Sequence, residues 1–311
     1  MTAVAVRDLV KRYRGAVANA VDGISFDARE GQLFCLLGPN GAGKTTTVSI
    51  LTTTLAPTSG SVRIAGHDVV TEQAAVRRAC GAVFQQPSLD LNLTAEENVR
   101  LHAVLYGLHP WRPLHRLMPA DYRRQVEELA GVLGVADVLG RPVRSLSGGT
   151  RRKLEIVRAL MHRPRILFLD EPTAGLDPEA RRSLWEHLDG ARRHLGTSIL
   201  LTTHYLHEAE AAEAVCVMWR GRILEQGSPA ELRARAGAAE LWVDARDRGR
   251  LRRDLAAMRL EAFGDGPIRV RLDGRSAQSV LRGIESELTV LRVQEPTLED
   301  AYLALLERAR S

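Results

Sequence analysis

Directly after the apolar run Leu33-Phe34-Cys35-Leu36-Leu37 the chain reads Gly38-Pro39-Asn40-Gly41-Ala42-Gly43-Lys44-Thr45-Thr46. Three glycines let consecutive backbone N–H groups curl toward one point with no Cβ in the way, which makes an anion nest. A helix that starts at Lys44 aims its free N–H groups and its positive dipole end at the same point. The lysine is itself informative. Of 43 basic residues only Lys11, Lys44 and Lys153 are lysines, so a chain that uses arginine almost everywhere keeps a lysine inside this loop. Under a tightly curled backbone a compact ammonium fits between two phosphates, and a planar guanidinium does not.

The spacing Gly38-x-x-x-x-Gly43-Lys44-Thr45 is the P-loop pattern, in which Thr45 offers its hydroxyl to Mg²⁺. Further along, Ile166-Leu167-Phe168-Leu169 is a continuous apolar run closed by Asp170-Glu171. Such a run is the mark of a strand buried on both faces of a parallel sheet. Acids at the carboxyl end of such a strand stand where open α/β sheets place their ligands. Asp170 can enter a Mg²⁺ shell, and Glu171 can polarise an attacking water. Leu146-Ser147-Gly148-Gly149, ahead of a helix, is a second candidate phosphate nest. One P-loop and two nests in a chain suggest that the second nest serves another subunit.

The rest of the chain supplies the frame. Strands are expected at 4–6, 24–28, 33–37, 61–64, 81–84, 165–169 and 198–203. Helices are expected at 44–55, 76–80, 150–162 and 178–194. This strand–helix alternation predicts a doubly wound α/β core. Residues 94–140 read as an α-helical insertion: a capping box at Thr94 and Glu97 opens one helix, a proline-broken loop follows, and a second helix spans 121–133. The loop from His109 to Pro119, with Trp111, Leu114, Leu117 and Met118, is apolar enough to dock a partner helix. Beyond a linker at 234–239, the order strand 240–245, helix 248–258, strands 261–264 and 267–273, helix 276–287 and strand 288–295 is the split βαβ, or ferredoxin-like, pattern, with a last helix at 298–309.

Composition excludes several classes. Apolar content of 45% can fill a core, and the net charge of +5 is interspersed, with no nucleic-acid patch. Cys35, Cys80 and Cys216 lie far apart, which argues against a disulfide framework or a zinc site and fits a reducing compartment. No secretory core opens the chain and no apolar run approaches the ~20 residues that span a bilayer, so membrane attachment is expected only through a partner.

Taken together, these motifs resemble the ATP-binding subunit of an ABC transporter over residues 4 to about 233. GPNGAGKTT (residues 38–46) matches Walker A, and Gln85 falls at the Q-loop, with Gln86 beside it. LSGGT at 146–150 matches the signature, ILFLDEP at 166–172 Walker B, Ala174-Gly175-Leu176-Asp177 the D-loop and Thr202-Thr203-His204 the H-loop. Thr150 stands where the broad family most often has Gln. The resemblance implies a P-loop ABC ATPase core (1–233) with an antiparallel β subdomain and a helical subdomain at about 87–145, followed by a C-terminal accessory domain (240–311). It also implies a head-to-tail dimer, with a second copy or a related ATPase subunit. Two ATP molecules then lie between the P-loop of one subunit and Ser147, Gly148, Gly149 and Asp177 of the other. Glu171 is then the general base, His204 contacts the γ-phosphate, and Gln85 senses Mg²⁺ and the attacking water. Tyr13 falls where the family stacks an aromatic on adenine.

Glu295-Pro296-Thr297-Leu298-Glu299-Asp300-Ala301-Tyr302-Leu303 is similar to the C-terminal signature of daunorubicin/doxorubicin-resistance ATP-binding subunits. That group works with separate ABC-2 type membrane subunits, which implies export of a hydrophobic or drug-like substrate from the cytoplasmic face of the membrane. A soluble ABC ATPase acting on ribosomes or nucleic acid, and an importer ATPase, share the cassette motifs.

Overall fold

The computed structural model describes residues 1–236, 239–272 and 275–310, and the chain divides into two units, Met1–Gln226 and Gly227–Ser311. Part of the expected linker (237 and 238) and the end of the strand expected at 267–273 lie outside the described residues.

The first unit opens with β1 (Thr2–Lys11), β2 (Val21–Arg29), β3 (Leu33–Leu37), α1 (Lys44–Leu51), β4 (Ser59–Ile64) and β5 (His67–Asp68). It continues through α2 (Gln73–Ala79), β6 (Cys80–Val83), α3 (Ala95–Leu105), α4 (Ala120–Val132) and α5 (Gly148–Leu160). β7 (Ile166–Asp170), α6 (Pro178–Leu195), β8 (Ser198–Thr203), α7 (Leu206–Glu210), β9 (Ala214–Trp219) and β10 (Arg222–Gly227) complete it.

Its strands form two sheets. A sheet of order β10-β9-β3-β8-β7-β6 is parallel where β9, β3, β8, β7 and β6 meet, and an antiparallel sheet has the order β2-β1-β4-β5. Every residue of β3, β7 and β8 is buried, as the apolar runs 33–37, 166–169 and 199–201 within them demand, and the polar Asp170, Ser198, Thr202 and Thr203 are buried with them. β2 alternates buried and exposed positions, because only one face of its sheet is covered. The sheets share one core, in which Phe26 of β2 stacks on Phe34 of β3 with centroids 5.2 Å apart.

The expected helix 44–55 stops at Leu51. The Thr52 hydroxyl donates to the Val48 carbonyl and Thr53 turns to φ 60°, so the threonine run ends the helix. In the insertion, Thr94 and Glu97 form the expected capping box. Met118, expected on an exposed docking loop, is buried, whereas Leu105, Trp111 and Leu117 are exposed. For the first unit the expected strands and helices ended at 203, and so omitted α7, β9 and β10 although Val215-Cys216-Val217-Met218 is a plain apolar run.

The second unit contains α8 (Pro229–Ala236), β11 (Glu240–Ala245), α9 (Arg248–Ala257), β12 (Ala262–Phe263), β13 (Ile268–Arg271), α10 (Ala277–Leu281), β14 (Leu288–Gln294) and α11 (Leu298–Arg310). Its sheet has the order β12-β13-β11-β14 with antiparallel neighbours, the ferredoxin-like arrangement. Leu241, Val243, Leu251, Leu255, Ile268 and Val270 form its core. The helix expected at 276–287 is only five residues long. At Gly283 the backbone passes so close to the Met258 sulfur that a Cβ there would overlap it. α8 packs on α11, so the segment 229–236 belongs with the second unit.

Candidate functional site

The P-loop leaves the carboxyl end of β3 and runs into α1, whose first residue is Lys44. Gly43 caps the helix at φ 102°, and a Cβ built on it would fall onto the Ala20 carbonyl, well inside the 3.0 Å that real Cβ atoms keep. Only glycine meets both demands. Lys44 is 4% exposed. Its Nζ donates to the carbonyls of Gly38 at 2.7 Å and Pro39 at 3.2 Å, and lies 3.4 Å from Glu171 Oε1. The ammonium is thus held over the concave face of its own loop. A cavity of about 390 Å³ opens there, lined by Ala20, residues 40–46, Gln85 and Glu171.

Of the acids at the end of β7, Glu171 lines this cavity and Asp170 lies behind it, bonded to the P-loop through Thr45. The Thr45 hydroxyl donates to Asp170 Oδ1 at 3.2 Å, and the Thr202 hydroxyl donates to the same oxygen at 2.5 Å. Asp170 is fully buried, and its other oxygen, Oδ2, has no hydrogen-bond partner among the described residues. A buried carboxylate oxygen left unpaired is costly unless something cationic meets it. Beside the Thr45 hydroxyl, it supplies the hard oxygen donors that suit Mg²⁺ bound largely through substrate phosphates.

Glu171 is the junction of the site. Its backbone is left-handed at φ 45°, and its N–H is held by the Thr202 hydroxyl at 3.0 Å and the Thr202 carbonyl at 3.2 Å. Non-glycine residues held in this region carry strain and cluster at functional sites. The carboxylate meets three groups from three motifs. Lys44 Nζ and His204 Nδ1 each lie 3.4 Å from Oε1, and Gln85 Nε2 donates to Oε2 at 3.3 Å. The glutamine that reaches Glu171 is therefore Gln85, not Gln86 beside it. Tyr13, half exposed, sits at the far rim with its hydroxyl 3.2 Å from the Thr46 hydroxyl.

The signature residues stand elsewhere. Ser147 caps α5, accepting from the Thr150 N–H at 3.2 Å, and neither Ser147 nor Gly148 lines the Lys44 cavity of its own chain. Both are exposed. Gly149 is buried, and a Cβ on it would come within 2.9 Å of the Ala180 Cβ, so this glycine serves the close packing of α5 on α6. Asp177 caps α6 by accepting from the Ala180 N–H at 2.8 Å and likewise lies outside the Lys44 cavity.

Two buried residues without a role in the motif reading are central here. Thr202 ties Asp170 to Glu171. Arg152, 7% exposed, donates to backbone carbonyls around the site. A charge on a helix whose neighbours Leu154, Ile156 and Val157 are fully buried was the available signal. The cysteines stay out of the chemistry. All three are free and buried, and burial pushes the Cys80 and Cys216 thiols up to about 12, so neither is a thiolate near neutrality.

Comparison with known proteins agrees with this geometry. The family model "ABC transporter" matches residues 21–174. The daunorubicin resistance ATP-binding protein DrrA3 of Streptomyces coeruleorubidus is 37% identical over 98% of this chain and 96% of that protein. The Nod factor export ATP-binding protein I of Burkholderia thailandensis is 36% identical over 96% of this chain and 95% of that protein. Among solved structures, a dimeric bacterial ABC transporter cassette superposes with a TM-score of 0.63 at 25% identity, covering 72% of this chain and 98% of that one. No helix among the described residues is long and apolar enough to cross a membrane. Phosphate loop, buried acid pair and whole-length kinship point one way: the chain is an ATP-hydrolysing member of the ABC transporter ATP-binding subunits, in the group of the daunorubicin-resistance ATP-binding proteins.

Proposed function

We propose that this chain powers export of a hydrophobic or drug-like substrate through a separate ABC-2 type membrane subunit, to which it binds at the cytoplasmic face. Two ATPase subunits, identical or related, pair head to tail, each P-loop facing the other's Ser147 and Gly148. The observation that carries the chemistry is the convergence of Lys44, Gln85 and His204 on the Glu171 carboxylate. Each comes from a different segment, and in this reading each meets a γ-phosphate or the water that attacks it.

In this reading the loop N–H groups and Lys44 hold the β- and γ-phosphates, and Tyr13 stacks on the adenine. Thr45 and Asp170 hold Mg²⁺, which supplies charge neutralisation at the phosphates when bound. Entry of the triphosphate draws Lys44 away from Glu171, which frees the carboxylate to accept a proton from water. Gln85 orients that water and His204 donates to the γ-phosphate. The exposed signature faces support pairing, since they lie outside their own chain's Lys44 cavity. Export is supported by the two relatives whose names carry resistance and export, and which align over both units of this chain. Contact with the membrane subunit is assigned to the insertion, where Leu105, Trp111, Leu114 and Leu117 are each exposed.

The test is co-expression with a candidate membrane subunit and an efflux panel, comparing Glu171→Gln with the unaltered chain. The amide keeps the shape and loses the base. Efflux and ATPase activity should both disappear while ATP binding persists. Efflux that persists in Glu171→Gln refutes the assignment of the base.

A further inference from the structure

The guanidinium of Arg152 reaches the backbone on both sides of Glu171. Its Nη2 donates to the Asp170 carbonyl at 2.9 Å and its Nε to the Pro172 carbonyl at 3.0 Å. Its Nη1 donates to the Phe84 carbonyl at 2.6 Å, directly ahead of Gln85. One side chain thus spans the left-handed residue that carries the carboxylate and the entry to the segment that carries its glutamine partner. The far end of that segment is held from the same helix. Arg152 Nη1 also donates to Glu155 Oε2 at 3.0 Å. Glu155, 2% exposed, accepts from the Ser88 N–H at 2.7 Å and the Ser88 hydroxyl at 3.3 Å. Arg158 donates to the Ser88 carbonyl at 2.8 Å. Residues 85–87 are therefore bracketed by α5, the helix that begins at Ser147.

We propose that Arg152 is the positioning residue for hydrolysis, fixing Glu171 and Gln85 relative to each other, with Glu155 closing the brace through Ser88. A planar fork of fixed donors is what these four hydrogen bonds need; a lysine ammonium on the same stem cannot span Asp170, Pro172 and Phe84 at once. Because α5 starts at the signature, the brace also connects whatever meets Ser147 to the position of the carboxylate in its own chain. This inference rests on Glu171 being the base.

The test uses the full-length chain with ATPase kinetics and equilibrium ATP binding. Arg152→Met keeps the stem and removes the donors, Arg152→Lys keeps the charge, and Arg152→Met/Glu155→Gln removes both buried charges. The proposal expects all three to lose roughly tenfold to hundredfold in kcat, as when reacting groups are misplaced by about 1 Å, with ATP affinity changed less than about threefold. Ser88→Ala, a milder lesion, should lower kcat in the same sense without altering affinity. Recovery of kcat in the double variant, or in Arg152→Lys, would mean that Arg152 only neutralises Glu155, and would overturn the proposal. So would equal losses in affinity and kcat, or a normal kcat in Arg152→Met. If Glu171→Gln proves fully active, the base assignment fails first; if it is inactive while the Arg152 variants are normal, the brace alone fails.

Discussion

Two glycines of one loop make a discriminating pair of substitutions. Gly41 has φ 80° and open space where a Cβ would go, whereas Gly43 has φ 102° and the Ala20 backbone carbonyl in that place. Gly41→Ala therefore carries only the left-handed penalty, about 1 kcal/mol. Gly43→Ala carries that penalty and a clash with an oxygen that cannot swing away, as a side chain could. Forced backbone shifts of this kind cost roughly 1–3 kcal/mol more, which brings the total to about 3 kcal/mol. For a unit of this size the melting temperature should fall by about 2–4 °C for Gly41→Ala and by roughly 6–12 °C for Gly43→Ala. Thermal unfolding followed by circular dichroism without nucleotide reads both, and a chemical melt gives the free energies. Near-equal stabilities, within about 0.5 kcal/mol, would refute the claim that loop–backbone contact at Ala20 shapes the nest.

Lys44→Arg should fail to support hydrolysis as fully as Lys44→Ala, because the fork cannot sit over the Gly38 and Pro39 carbonyls; ATPase assays on both variants check this. Burial lowers the His102 imidazole to about 4 from its ordinary 6.5, so near pH 5 the unfolded chain binds a proton that the folded chain does not. Stability should be full above about pH 6.5 and fall as pH drops toward 4, and His102→Gln should flatten that slope in melts at pH 7.5 and 5.0. A chain ending at Gln226 should keep its ATP affinity, because the residues lining the Lys44 cavity all lie in the first unit; equilibrium binding to both lengths decides.

The site was legible in the sequence wherever backbone chemistry dictates residue type. The P-loop, the acids closing β7 and the capping box at Thr94 each need particular side chains at fixed spacing, and the structure places them accordingly. The ferredoxin-like order of the second unit followed from period-2 alternation, as at Ile268 and Val270. What escaped was set by tertiary contact. Nothing local says that Thr202 will bridge Asp170 and Glu171, or that Arg152 will reach carbonyls from two other segments. The early end of α1 escaped for a local reason. The helix was expected to run through Thr52-Thr53-Thr54, but the Thr52 hydroxyl bonds the Val48 and Ser49 carbonyls and the Thr54 hydroxyl, and Thr53 turns left-handed. Gly149 reads as a nest residue beside Gly148, yet its neighbour Ala180 comes from a helix about thirty residues away.

Hydrolysis in a site shared between two chains is best tested by mixing two inactive ones. Lys44→Ala disables the P-loop of its own chain. Gly148→Asp brings a carboxylate to the exposed signature face, where its Cβ meets only the Leu176 side chain at 3.7 Å, so the chain still folds while the charge repels a γ-phosphate. In a mixed dimer both lesions fall on one composite site and leave the other intact. Under conditions that allow subunit exchange, the mixture should hydrolyse ATP well above either parent, approaching half the unaltered rate per mixed dimer. Activity no greater than that of the parents, with mixed dimers demonstrably present, would contradict a site built from the P-loop of one subunit and the signature of another.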